Sequence, residues 1–272
     1  MLNEFGLKEM QLMQIEILKQ VGKLCEENDL RHYMIGGTCL GAVRHSGFIP
    51  WDDDIDIGLP RPDYDKLELI CRAQLPERYT YVNYKDDFRI PNNISKVYDN
   101  RTVLIEEARQ EYQVELGVYI DIFPLDGVPS SPLTREVHYY KTYFLKSLMQ
   151  INSMDNSRRR SLLKKVLIAF VQMLMNDRIL KAVHDCFENT VRKYQYCTSQ
   201  EICNYSGAWG KRELIPRDWI GEGATLVFED VSLKVFREYR KYLSRLYGDY
   251  LKLPPIEKQK SHHRYRVYRI TT

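Results

Sequence analysis

Residues 48–67 read FIPWDDDIDIGLPRPDYDKL and place Asp52, Asp53, Asp54 and Asp56 within five positions. Carboxylates this close repel one another, so the run needs something to offset its charge. Ile55, Ile57 and Leu59 alternate through it with the period of a half-buried strand. On such a strand Asp54 and Asp56 share one face, and Asp53 points away from them. A second stretch, YIDIF, sets Asp121 between isoleucines in the same way. On neighbouring strands Asp54, Asp56 and Asp121 converge on one patch, which calls for a cation with oxygen ligands, Mg²⁺ or Mn²⁺. A cation held by carboxylates and completed by substrate phosphates is the arrangement of phosphoryl transfer.

The segment IGGTCLGAVRH (35–45) supplies a complementary part. Gly36 and Gly37, between a strand and a helix, let the backbone come close to a ligand that the helix N–H groups face. Thr38 is expected to cap that helix and to offer its hydroxyl. Arg44, two turns on, is a counter-charge for phosphate. Taken alone, a Gly-Gly pair is ordinarily a turn and an acidic run a solvated face. An EF-hand places Asp52, Asp54 and Asp56 at its first, third and fifth positions. It then needs glycine and glutamate where this chain has Ile57 and Asp63, so it is excluded. Cys197, Cys203 and His184 lack the spacing of a zinc site.

The elements that would position these residues are legible in outline. Residues 7–26 carry apolar side chains at three- and four-residue spacing, an amphipathic helix. RHYMI (31–35) reads as a short strand, and a helix follows the acidic strand from Pro62 to about Ala73. Residues 79–84, 94–98, 102–105 and 117–129 read as further strands. From about 133 to 197 the pattern is helical, and from 205 it is mixed again. The expected fold is α/β with a mixed sheet: a catalytic core over 1–130, a helical insertion over 131–200, and a C-terminal segment over 201–272 that completes the core.

The combination of strand, Gly-Gly, helix, D-x-D strand and a later aspartate strand is the layout of the nucleotidyltransferase superfamily. GGTCLGAVRHSGFIPWDDDIDIGLPRPDYDKL, GVYIDIFPLDGVP and YGDYLKLPP together resemble the LicD family of choline-phosphate transferases, relatives of the fukutin-type pentitol-phosphate transferases. The resemblance implies a Mg²⁺-dependent enzyme that moves a phospho-alcohol, phosphocholine foremost, from a CDP-activated donor to a hydroxyl of a lipopolysaccharide or teichoic-acid precursor. It also implies that Asp54 and Asp56 are metal ligands, that Asp121 is a third ligand or the general base, and that Asp52 is a further acid of the motif. Lys96 is a candidate phosphate partner, or else a snorkelling strand lysine. If choline is the group moved, its ammonium needs an aromatic cage, for which Trp51 is the candidate. The alternatives are a nucleotidyltransferase acting on a small molecule such as an aminoglycoside, and a non-catalytic nucleotide- or glycan-binding relative.

Composition narrows the field. The chain has 272 residues, 44% of them hydrophobic, and 40 basic against 37 acidic side chains. A net charge of +3 is too balanced for a dedicated nucleic-acid binder. Six cysteines without a C-x-x-C pair suit reduced thiols, and the N-terminus lacks the apolar region of a signal peptide, so a cytoplasmic protein is expected. Residues 157–183 join a basic run to a wide apolar face. They are read as a core helix or, alternatively, as a peripheral contact with the inner face of a membrane that holds lipid-linked acceptor. His262 and His263 are read as tail residues, with a role near the active site left open.

Overall fold

The computed structural model describes residues 2–106, 116–154, 161–261 and 265–270. His262, His263 and the Arg158–Arg160 run lie outside the described residues. Strand β1 (Leu2–Phe5) leads into helix α1 (Leu7–Glu27), then β2 (Tyr33–Met34), α2 (Gly36–His45), β3 (Asp56–Pro60) and α3 (Arg61–Gln74). Strands β4 (Tyr79–Asn83), β5 (Ser95–Asp99), β6 (Thr102–Glu106) and β7 (Tyr119–Gly127) follow. Next come three helices, α4 (Pro132–Asn152), α5 (Leu162–Leu174) and α6 (Asp177–Val191). The chain closes through β8 (Glu201–Cys203), β9 (Leu214–Pro216), β10 (Ala224–Phe228), β11 (Val231–Val235), α7 (Tyr239–Tyr247) and β12 (Tyr265–Ile270). The fold is α/β with mixed sheets.

The main sheet runs β2-β3-β7-β5-β4, with β8 and then β9 joined to the far end of β7. Strands β3 and β7 pair in parallel, while β2, β5 and β4 join antiparallel. A parallel centre buried on both faces accounts for the apolar content of these strands: Ile57, Leu59, Ile120 and Ile122 are fully buried. Helix α1 packs its face of Met10, Ile17, Leu18 and Val21 into the same core. A separate sheet, β1-β12-β6, and a hairpin, β10–β11, complete the described strands.

The acidic run departs from expectation. Regular strand begins at Asp56, so Asp52 to Ile55 form a lead-in loop rather than a strand. The physical cause lies in α1, where Gln11 and Gln14 stand among the buried positions. Gln11 donates through Nε2 to the Asp52 carbonyl and Gln14 to the Asp53 carbonyl, both at 2.9 Å. Backbone acceptors that a strand partner would otherwise use are thereby held by a helix. Freed from alternation, the Asp52, Asp53 and Asp54 carboxylates come within 4.8 Å of one another, which corrects the expected opposite orientation of Asp53.

A buried ion network ties the helical segment to the end of β7. Arg61 donates from Nε and Nη2 to the two oxygens of Asp126 at 2.7 and 2.6 Å, and from Nη1 to Glu188 of α6 at 3.0 Å. Bidentate geometry of this kind fixes orientation as well as charge.

Candidate active site

The register of three strands lines up one row. Asp56 of β3 is paired with Asp121 of β7, and Asp121 in turn with Lys96 of β5. All three side chains line a cavity of about 250 Å³ together with Gly36, Gly37 and Asp54. Lys96 Nζ lies 2.5 Å from Asp121 Oδ1 and 3.5 Å from the centroid of the Tyr119 ring. Lys96 is therefore the counter-ion of Asp121, and it lines the cavity that a donor phosphate would enter.

Burial, and then the charges of Asp54, Asp121 and Asp52, push the Asp56 carboxyl well above the usual carboxylate range, with Lys96 opposing. A carboxylate so placed is stabilised by added positive charge. Asp54, Asp56 and Asp121 offer carboxylate oxygens to the cavity, and Lys96 is already engaged by Asp121, a donor set that fits a hard divalent cation. The glycines make room for these acids. A Cβ at Gly37 would come within 2.9 Å of Asp52 Oδ2, and one at Gly36 within 3.4 Å of Asp56 Oδ2.

Gly36 also has φ +53°, a left-handed conformation that favours glycine. Its N–H donates to Tyr242 Oη at 3.1 Å, so that N–H serves α7. Ile35 is the N-cap residue of α2, and no side chain caps the helix. Thr38 instead accepts the Asp56 N–H through Oγ1 at 2.8 Å, which locks the head of β3 against α2. The capping role expected for Thr38 is replaced by one that positions Asp56.

The remaining sequence candidates stand back from the cavity wall. Arg44 donates to His45 Nε2 at 3.1 Å and to the Tyr250 carbonyl at 3.3 Å, and senses Asp52 only as a nearby charge. Trp51 is half-buried and edge-on to His45, with ring centroids 6.5 Å apart. The aromatics that line the cavity are Tyr119, Phe123, Trp209 and Tyr242.

Sequence reasoning missed a further part of the cavity lining. Lys146 from α4, with Asn204, Trp209 and Glu213 from the segment after β8, line the same cavity as the acid row. Burial raises the Glu213 carboxyl to about 7, and burial lowers the Lys146 ammonium to about 8. Lys146 donates to the carbonyls of Ser206 and Gly207 at 2.9 and 2.5 Å, which fixes the loop that carries Trp209. No local motif marks these residues. A lysine on an exposed-looking amphipathic helix and a glutamate after GKR carry no signal until the fold brings them together.

Residues 29–149 match the family described as LicD/FKTN/FKRP, nucleotidyltransferase domain. The chain is similar to this family over these residues, somewhat under half of its length. It is 28% identical over 278 residues to the lipopolysaccharide cholinephosphotransferase LicD of Haemophilus influenzae, a match that covers 98% of this chain and 99% of that protein. Shorter matches join it to the human ribitol 5-phosphate transferase FKRP and to mouse ribitol-5-phosphate transferase FKTN. The former is 36% identical over 59 residues, 22% of this chain and 12% of that protein. The latter is 29% identical over 77 residues, 28% of this chain and 17% of that protein. The names of all three describe transfer of a phosphate-bearing alcohol.

Proposed function

We propose that the protein is a phosphotransferase that moves a phospho-alcohol, phosphocholine in the first instance, from a CDP-activated donor to a hydroxyl of a cell-envelope glycan. The observation that carries this reading is the Asp56–Asp121–Lys96 row facing a cavity beside the Gly36–Gly37 turn. End-to-end similarity to a cholinephosphotransferase supports the choice of alcohol.

In this reading Asp54, Asp56 and Asp121 hold Mg²⁺ or Mn²⁺, with Asp52 adding negative charge behind Gly37. When bound, the ion offsets charge on the donor's phosphates. Asp121, paired with Lys96, accepts the proton of the acceptor hydroxyl as its oxygen attacks the β-phosphorus. The bond from that phosphorus to the bridging oxygen breaks, and CMP leaves. Trp209 lines the cavity and is the aromatic candidate for a quaternary ammonium there, whereas Trp51 is not among the lining residues.

The test is a panel of CDP-choline, CDP-ribitol, CDP-glycerol and CDP-ethanolamine, scored for CMP release with Mg²⁺ and with EDTA. Metal-dependent release of CMP from CDP-choline above the other donors is expected. Full turnover in EDTA would remove the metal assignment. Pyrophosphate released from a nucleoside triphosphate, with no turnover of any CDP-alcohol, would replace the reading with nucleotidyl transfer.

A further inference from the structure

Helix α5 turns its apolar side outward. Leu162, Leu163, Val166, Phe170, Met173 and Leu174 are all more than half exposed, Leu163 reaching 81%. At about 100° per residue they occupy one continuous arc of roughly 120°. The side that faces the protein is the more polar one. Ile168 is the buried residue of the helix, and beside it Gln172 donates through Nε2 to the carbonyls of Ile151, Asn152 and Met154 at 3.1, 3.4 and 2.8 Å. A helix that packs its glutamine inward and presents leucine, phenylalanine and methionine outward is built to meet an apolar phase. Exposure on this scale marks an interaction surface.

Charge decides which phase. Lys164 and Lys165 fall on the two sides of the apolar arc, and Lys164 is exposed. In sequence, Arg158, Arg159 and Arg160 come just before the helix, and Arg178 and Lys181 just after it. Over 155–181 seven basic residues oppose two acids, Asp155 and Asp177. Apolar residues bordered by cations match the acyl and headgroup layers of an anionic lipid surface. At 13 residues the helix is about 20 Å long, short of the roughly 30 Å of a bilayer core. Among the described residues no helix is long and apolar enough to cross a membrane. The fitting geometry is a helix lying in the interface.

We propose that α5 docks the protein on an anionic lipid surface, its leucine and phenylalanine side chains entering the acyl boundary and Lys164 and Lys165, beside the apolar arc, meeting the headgroups. The proposal concerns the outer face of α5 and is independent of the chemistry in the cavity. The probe is flotation of the full chain with vesicles of phosphatidylcholine alone and of phosphatidylcholine with phosphatidylglycerol. Binding to the anionic vesicles, at least tenfold above the neutral ones and weakened by salt, is expected. A double variant, Leu163→Glu with Phe170→Glu, is expected to lose tenfold or more of that binding, and Lys164→Glu about fivefold. Both sites are exposed, so the thermal melt and turnover of soluble donor are expected to match the native chain and serve as the folding control. Absence of binding to either vesicle overturns the proposal, as does native-like binding by the double variant. So does a chain that self-associates through α5, recognised when the double variant turns an oligomer into a monomer without changing vesicle binding.

Discussion

Asp56 stands where the electrostatics of the site are least favourable, between Asp54 and Asp121 and in a buried setting that lifts its carboxyl above the usual range. Asp56→Asn keeps the shape and keeps the backbone N–H that Thr38 accepts. It removes one of the charges that an active-site cation would meet. Turnover is expected to fall by about 10²-fold or more, while the metal-free protein becomes equally or more stable because repulsion in the row declines. Steady-state kinetics beside a chemical melt separates the two effects. A variant that loses activity in proportion to unfolding would mark the carboxylate as structural. The alternation of β3 and β7 around Asp56 and Asp121 was legible in sequence because it is local, whereas Asp54, expected on the same strand face as Asp56, lies in the lead-in loop. The pairing of Lys96 with Asp121 was not legible, since it depends on β5 lying beside β7 rather than on any spacing within a motif.

Elements read well where one face decides their fate. The three-and-four spacing of α1 and the isoleucine-flanked aspartates of β3 and β7 each state their own burial. The acidic loop was misjudged as strand because its conformation is set from outside, by two glutamines of α1. A polar residue among the apolar positions of a helix is the signal that such a contact exists. The wall formed by α4 and the segment after β8 was illegible for the same reason, being assembled across distant stretches of chain. That wall has a consequence in pH. Glu213 holds its proton to about 7 in the folded protein, whereas a glutamate in an unfolded chain releases it near 4.3. Between those values the unfolded state binds fewer protons, so stability falls as pH rises through the window, by up to about 4 kcal/mol. Lys146 acts in the opposite sense at higher pH. Its folded value of about 8 lies below the ordinary 10.5, so stability recovers as pH rises between the two. Urea unfolding of the native chain and of Glu213→Gln from pH 5 to 7 is expected to show a decline in the native chain that the variant lacks. Parallel curves would place Glu213 in a solvated setting.

At the scale of the molecule, the family match and the cooperative unit differ in extent. The match covers residues 29–149, yet one core cluster runs from Met10 in α1 to Val267 in β12. Helix α7 buries Tyr242, Leu243 and Leu246 in that cluster, and Tyr242 reaches the Gly36 N–H at the cavity. Strand β12 pairs with both β1 and β6, so the last strand closes a sheet begun by the first. A fragment of residues 1–200 would expose the apolar surface that α7 and β12 cover. It would also leave β1 and β6 without the strand that joins them, and unpaired edges favour association. Each buried leucine or tyrosine removed from its partners costs on the order of 2 kcal/mol, against a total stability of roughly 5–15 kcal/mol for a domain. Loss of Tyr242, Leu243, Leu246 and Val267 together therefore takes most of that margin. The 1–200 fragment is expected to give a broad, non-cooperative melt, weak near-UV dichroism and aggregation, where the full chain melts cooperatively. A fragment that melts sharply with native near-UV dichroism would make 201–272 an appendage to the core instead of its final part.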